Sequence, residues 1–227
     1  FPEVLNGQDV LNSILFDYIN ENKERRANVV KAYLTDQYEI DSEVKFKQID
    51  LQNQIFSLFT DVPLQVKKFN SKNRELKRTL SEVFGNIRIS DADFSLADIA
   101  NRSVGAAEFL LHHKTQDQVE KVLLEGGPGQ GKSTITQYVC QVHRAKLLEK
   151  TADINMLPAE ITHTAVRLPF KIDLRDVASW VEKKNPYHGA IPEEIFDANW
   201  RNSLESFLVN HVIYHSKIEQ FDTADLH

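Results

Sequence analysis

Apolar residues recur along the N-terminal third of the chain at three- and four-residue spacing: Val10, Leu11, Ile14, Leu15, Tyr18 and Ile19, then Val29, Val30, Tyr33 and Leu34. That period places each set on one side of a helix, and the pattern predicts two helices, each burying one face. From Val44 the period falls to two. Val44 and Phe46 alternate with Lys45 and Lys47, and Val62, Leu64 and Val66 alternate with Pro63 and Gln65, which predicts short strands. Pro63 brings no amide hydrogen to a ladder, so its strand belongs at an edge or breaks there.

A helix is expected from Asp93 through Ala107 and Phe109, followed by a polar turn, "HHKTQDQ", and an apolar strand, Val122 to Leu124. Ile135, Val139 and Val142, flanked by Tyr138 and Ala145, then return to helical spacing. Farther on, Leu168, Phe170 and Ile172 alternate as a strand, and Leu174, Val177 and Val181 follow as a helix. Pro192 in a first helical turn, with Glu193 and Glu194 behind it, opens a long helix through Phe196, Trp200, Leu204, Phe207, Leu208 and Val212. Two strand–helix units in succession predict an α/β fold over residues 91–227. Residues 1–90 form a smaller helical and short-strand (α+β) extension, with the boundary in "GNIRISDA", residues 85–92.

The glycines refine this picture. "LLEGGPGQGKSTITQYV", Leu123 to Val139, sets four glycines and a proline between the apolar strand and the following helix. Amide hydrogens converge on a small anion only where no Cβ blocks the approach, and glycine removes that block. Gly126, Gly131, Lys132 and Ser133 occupy the fixed positions of GxxxxGK[ST], the phosphate-binding loop, in the strand-before and helix-after context that the motif requires. Gly126, Gly127, Pro128, Gly129, Gln130, Gly131, Lys132, Ser133 and Thr134 are therefore the expected nucleotide-binding residues. The backbone amides from Gly127 to Ser133 should cradle the β-phosphate, helped by the helix N-terminus. Lys132 should reach the β- and γ-phosphates, the Ser133 hydroxyl should hold Mg²⁺, and Thr134 should stand near the α-phosphate. No NKxD sequence follows the loop, so adenine is the expected base and ATP or ADP the expected ligand.

Composition and charge narrow the function further. The chain has 227 residues, enough for one large domain or two small ones, and 41% hydrophobic content supplies a core. A net charge of −6 argues against a surface that coats nucleic acid, and no apolar run approaches the roughly 18 residues of a membrane span. The exception is the segment from Lys67 to Arg78, where Lys67, Lys68, Lys72, Arg74, Lys77 and Arg78 are opposed by Glu75 alone. A block this short reads as a solvated face or linker, and as a nucleic-acid contact in the alternative reading. The lone Cys140 forms no intramolecular disulfide and reads as helix packing. With no signal-peptide pattern at the N-terminus, a cytoplasmic location is expected. The first residue is Phe1 and the single methionine is Met156, so the chain reads as an excised fragment.

"VLLEGGPGQGKST", followed by "LPFKIDLRDVA" with its Pro169-Phe170-Lys171-Ile172-Asp173-Leu174-Arg175 run, resembles the NACHT family of signalling NTPases within the STAND class. The resemblance covers roughly residues 93–227, and "LFTDVPLQV", Leu58 to Val66, resembles the segment that precedes the NTPase in bacterial members. It implies the first two βα units of a P-loop NTPase three-layer parallel sheet. It also implies a nucleotide-dependent switch, flanking effector or sensor domains, self-association on activation and a role in bacterial defence signalling. The family's Walker B acids have no counterpart after Lys132. Asp173 is the nearest, but Pro169 and Lys171 interrupt its apolar run and Leu174 follows it. The Walker B strand is therefore expected beyond residue 227, with ATP bound but hardly hydrolysed. Arg175 fits the family's LR position and is expected to brace the following helix.

The eight histidines suggest no metal centre. His211 and His215 are four apart on a helix but have no acidic or cysteine ligand near them in sequence. A P-loop ATPase acting on nucleic acid through residues 67–78 remains the second function class, and a small-molecule kinase, lacking a visible lid and acceptor pocket, the third.

Overall fold

The computed structural model describes residues 7–42, 55–63, 105–187 and 189–226. These residues are mainly helical and contain no sheet, which overturns the α/β parallel-sheet expectation. The sequence pattern identified apolar faces, but a strand also needs a partner ladder for its backbone groups, and an isolated extended segment is not stable as a strand. Val122–Leu124 and Leu168–Ile172 lie in no strand and no helix. The one backbone bridge among the described residues joins Pro63 to Gly105, antiparallel, with the Ala106 amide donating to the Val62 carbonyl at 2.9 Å. Val44–Phe46, the boundary at 85–92 and the basic block at 67–78 lie outside the described residues.

The helices, in chain order, are α1 (Gly7–Ile40), α2 (Ile55–Leu58), α3 (Ala106–Leu111), α4 (His113–Gln118), α5 (Lys132–Leu147), α6 (Thr151–Ile154), α7 (Ala159–Thr162), α8 (Leu174–Val181), α9 (Glu193–Asn199) and α10 (Leu204–Ser216). A 3₁₀ turn at Thr223–Leu226 follows them. The two helices expected in the N-terminal third are one helix of 34 residues, because no glycine or proline interrupts the polar stretch between the two apolar stripes. The expected polar turn at 112–118 is largely helical, as α4. The long helix expected from Pro192 is two helices. Trp200 takes an extended backbone, and Ser203 then caps α10 by accepting the Ser206 amide at 3.2 Å. No described helix is long and apolar enough to cross a membrane.

The chain divides into two compact units, one made of residues up to Gln37 together with those from Ile172 onward, the other spanning Tyr38–Lys171. The first is organised by aromatic residues. Trp180 packs edge-on against Phe196 and Phe207, its indole N–H donates to the Arg201 carbonyl at 2.9 Å, and the Trp200 indole returns a bond to the Trp180 carbonyl at 2.8 Å. Buried Tyr33 on α1 meets His211 and His215 of α10 edge-on. Arg25 holds Asp225, fixing the 3₁₀ turn to α1.

The second unit is built around Ile55, Ala106, Ala107, Leu111, Ile135, Tyr138, Val142 and Ile161. Phe59 stacks on Tyr138 with ring centroids 3.7 Å apart, and Phe56 meets the same ring edge-on. Asp61 caps α3 from a distant part of the sequence, its carboxylate accepting the Ala107 amide at 3.0 Å and the Glu108 amide at 2.9 Å. A Cβ on Gly105 would overlap that carboxylate, so glycine is required there for the close approach. Burial, reinforced by the Asp61 charge, pushes the Tyr138 phenol up to about 12.

Candidate phosphate-binding loop

Within the second unit the glycine loop joins α4 to α5. Its approach segment is anchored by Leu124, which packs partly buried on the core, while Leu123 is 82% exposed. Pro128 and Gly129 form a turn closed by the Gln130 amide on the Gly127 carbonyl at 3.4 Å. Gly129 and Gly131 both take a φ of +77°, the left-handed region that a Cβ disfavours. At Gly131 an added Cβ would stand 3.5 Å from Val62, an ordinary contact, so the backbone angle alone demands glycine. Gly131 is the residue from which α5 starts, with the Ile135 amide donating to its carbonyl at 2.8 Å.

The side chains expected to serve a phosphate are contiguous and local. The Lys132 ammonium lies across the loop, donating to the Gly126 carbonyl at 2.7 Å and the Gly127 carbonyl at 2.8 Å. Ser133 is exposed on the first turn of α5, Thr134 is half-buried beside it, and Pro128, Gly129 and Gln130 are exposed. The Gln130 side-chain oxygen accepts the Gly127 amide at 2.6 Å. An ammonium carries three donors, and the two carbonyls engage two of them. The first-turn amides of α5 have no intrahelical acceptors, so this end of a 16-residue helix favours a negative charge.

Below the loop, α5 carries a polar stripe that the sequence analysis did not single out. Gln137 donates to the Asp41 carbonyl at 2.8 Å, and Gln141 donates to the Tyr38 carbonyl at 2.9 Å. Arg144, with no exposed side-chain surface, pairs with Asp41 at 2.7 Å, and half-buried Lys171 reaches the other Asp41 oxygen at 2.5 Å. The signal was present as Gln137, Gln141 and Arg144 at four- and three-residue spacing, a single face of the helix. Cys140, buried beside this stripe, has its thiol pushed above the ordinary range by burial, against the pull of Arg144.

His143, also on α5, accepts the Arg167 amide at Nδ1 at 3.4 Å, and burial with Lys146 and Arg167 nearby pulls it down to about 4. Lys146 satisfies the end of α7, donating to the Ile161 and Thr162 carbonyls at 3.0 Å each.

In the other unit, Asp173 caps α8, accepting the Arg175 amide at 2.8 Å, and the Arg175 side chain is exposed. His211 Nδ1 lies 3.0 Å from the Tyr187 hydroxyl, and His215 Nδ1 lies 2.7 Å from Asp36. Among the described residues no group of three or more His, Cys, Asp or Glu side chains gathers to hold a metal ion. No protein-family model, curated protein or solved structure matches this chain.

Proposed function

We propose that the segment Gly126–Thr134 binds the phosphates of ATP or ADP, and that the chain is the nucleotide-binding part of a signalling NTPase. One observation carries the reading. Two left-handed glycines lead the chain into the start of α5, with the Lys132 ammonium held across the loop they form. Amides at the helix start take the β-phosphate, and the ammonium neutralises it as a compact charge. The Ser133 hydroxyl supplies one protein ligand for Mg²⁺, whose remaining ligands come from water and phosphate oxygens.

The NACHT-type assignment rests on the resemblance of "VLLEGGPGQGKST" and "LPFKIDLRDVA" alone, since the helical fold lends it no support. Under it, the γ-phosphate biases an equilibrium between off and on states, and self-association, effector domains and a cytoplasmic location follow. The basic segment of the nucleic-acid reading lies outside the described residues, and nothing else favours that reading.

A comparison of ADP with AMP tests the proposal, because the loop is built for a β-phosphate that AMP lacks. Calorimetry should give ADP an affinity about tenfold or more above that of AMP, the discrimination expected when a charge-assisted phosphate contact is lost. Equal affinities would place the nucleotide elsewhere.

A further inference from the structure

The loop binds part of itself. Gln130 Oε1 accepts the Gly127 amide at 2.6 Å, and the same oxygen stands 2.6 Å from where a Cβ on Gly126 would be. It therefore sits over two consecutive glycines of the segment assigned to phosphate. A carboxamide oxygen that accepts a loop N–H does what a phosphate oxygen would do there. Gln130 is itself exposed, so the contact is not imposed by core packing. A glutamine side chain loses considerable rotamer freedom when fixed in one position, which makes this contact easy to displace.

Resting on the phosphate-binding reading, we infer that Gln130 is an internal competitor for phosphate at Gly127. With the site empty, its carboxamide holds the Gly127 N–H and keeps the loop ordered. A phosphate oxygen takes over the same N–H, and the Gln130 side chain swings out to water. Gln130 thus sets the affinity of the loop without contributing a bond to the bound state.

Pyrophosphate is the probe, titrated into the intact chain and into Gln130→Ala and Gln130→Glu. Net exchange of one neutral hydrogen bond predicts that Gln130→Ala binds about two- to tenfold more tightly. Gln130→Glu should bind about tenfold or more weakly, because a carboxylate holds the amide through a charge-assisted bond and repels the incoming anion. The Gly127 amide resonance should move upfield and exchange faster in Gln130→Ala, with no ligand present. Equal or weaker binding by Gln130→Ala, or an unmoved Gly127 resonance, would overturn the competitor role while leaving phosphate binding in place. If the unsubstituted chain binds neither pyrophosphate nor ATP, the phosphate reading fails, and this inference fails with it.

Discussion

The guanidinium of Arg144 lies 2.7 Å from the carboxylate of Asp41, with almost no water reaching either side chain. The pair joins the last turn of α5 to the chain just past the end of α1, and Lys171 shares the same carboxylate. Removing one partner of a buried pair leaves the other charged and desolvated. Arg144→Ala should therefore lower unfolding stability by about 3 kcal/mol in urea denaturation, the low end of the cost of breaking a buried pair, because Lys171 still pairs with Asp41. Arg144→Met combined with Asp41→Leu should recover much of that loss, since it removes both charges and keeps the volume. A double variant as unstable as Arg144→Ala would show that the pair is not what holds this region.

Asp61 and Gly105 form a second such relationship, in which one residue exists for the other. Asp61→Ala removes the cap of α3 and should cost about 1 kcal/mol. Gly105→Ala displaces the same carboxylate and should cost at least as much, and the double variant should lose less than the sum of the two. Strict additivity in thermal or urea unfolding would show that Gly105 serves another purpose.

His143 should make stability depend on pH. Its folded value of about 4 lies below the ordinary 6.5, so between these two values the unfolded chain binds the extra proton. The contribution is fully present above pH 6.5 and is lost as pH falls toward 4, amounting to about 3 kcal/mol at most. In the chain carrying His143→Gln, urea unfolding at pH 7, 6, 5 and 4.5 should show a shallower loss than in the unsubstituted chain. Parallel profiles would show that His143 does not set the pH dependence.

Asp173 should prove structural. Its carboxylate is committed to the first turn of α8, so Asp173→Ala should cost about 1 kcal/mol of stability. ATP affinity should not change. If the chain hydrolyses ATP briskly and Asp173→Asn abolishes that turnover, Asp173 has a catalytic part that its capping geometry does not suggest.

Helical periodicity was the most legible feature of the sequence. On α5, Ile135 and Val142 with the flanking Tyr138 and Ala145 are buried and Val139 is half-buried, and on α9 and α10 Phe196, Phe207 and Val212 are buried while Leu204 is exposed. At the glycine loop the helix that follows was legible, and left-handed backbone at Gly129 and Gly131 is a local demand that glycine meets locally, but the strand expected before the loop does not form. Strands were not legible. Leu168, Phe170 and Ile172 alternate, yet alternation says nothing about which segment will supply the opposing carbonyls and amides. The Asp41–Arg144 pair and the Asp61 cap were invisible for a related reason: each joins residues more than 40 positions apart, and Asp41, Arg144 and Asp61, each taken alone, look like ordinary surface charges.

Calorimetric titration of ATP with Mg²⁺ into the intact chain and into Lys132→Ala tests whether Lys132 and the glycine loop hold nucleotide phosphates. Lys132 makes its described contacts to loop carbonyls rather than to the core, so the variant should melt at the same temperature. Loss of a charge-assisted phosphate contact should weaken its ATP affinity by about tenfold or more. Indistinguishable isotherms from two equally folded proteins would show that Lys132 does not hold the phosphates.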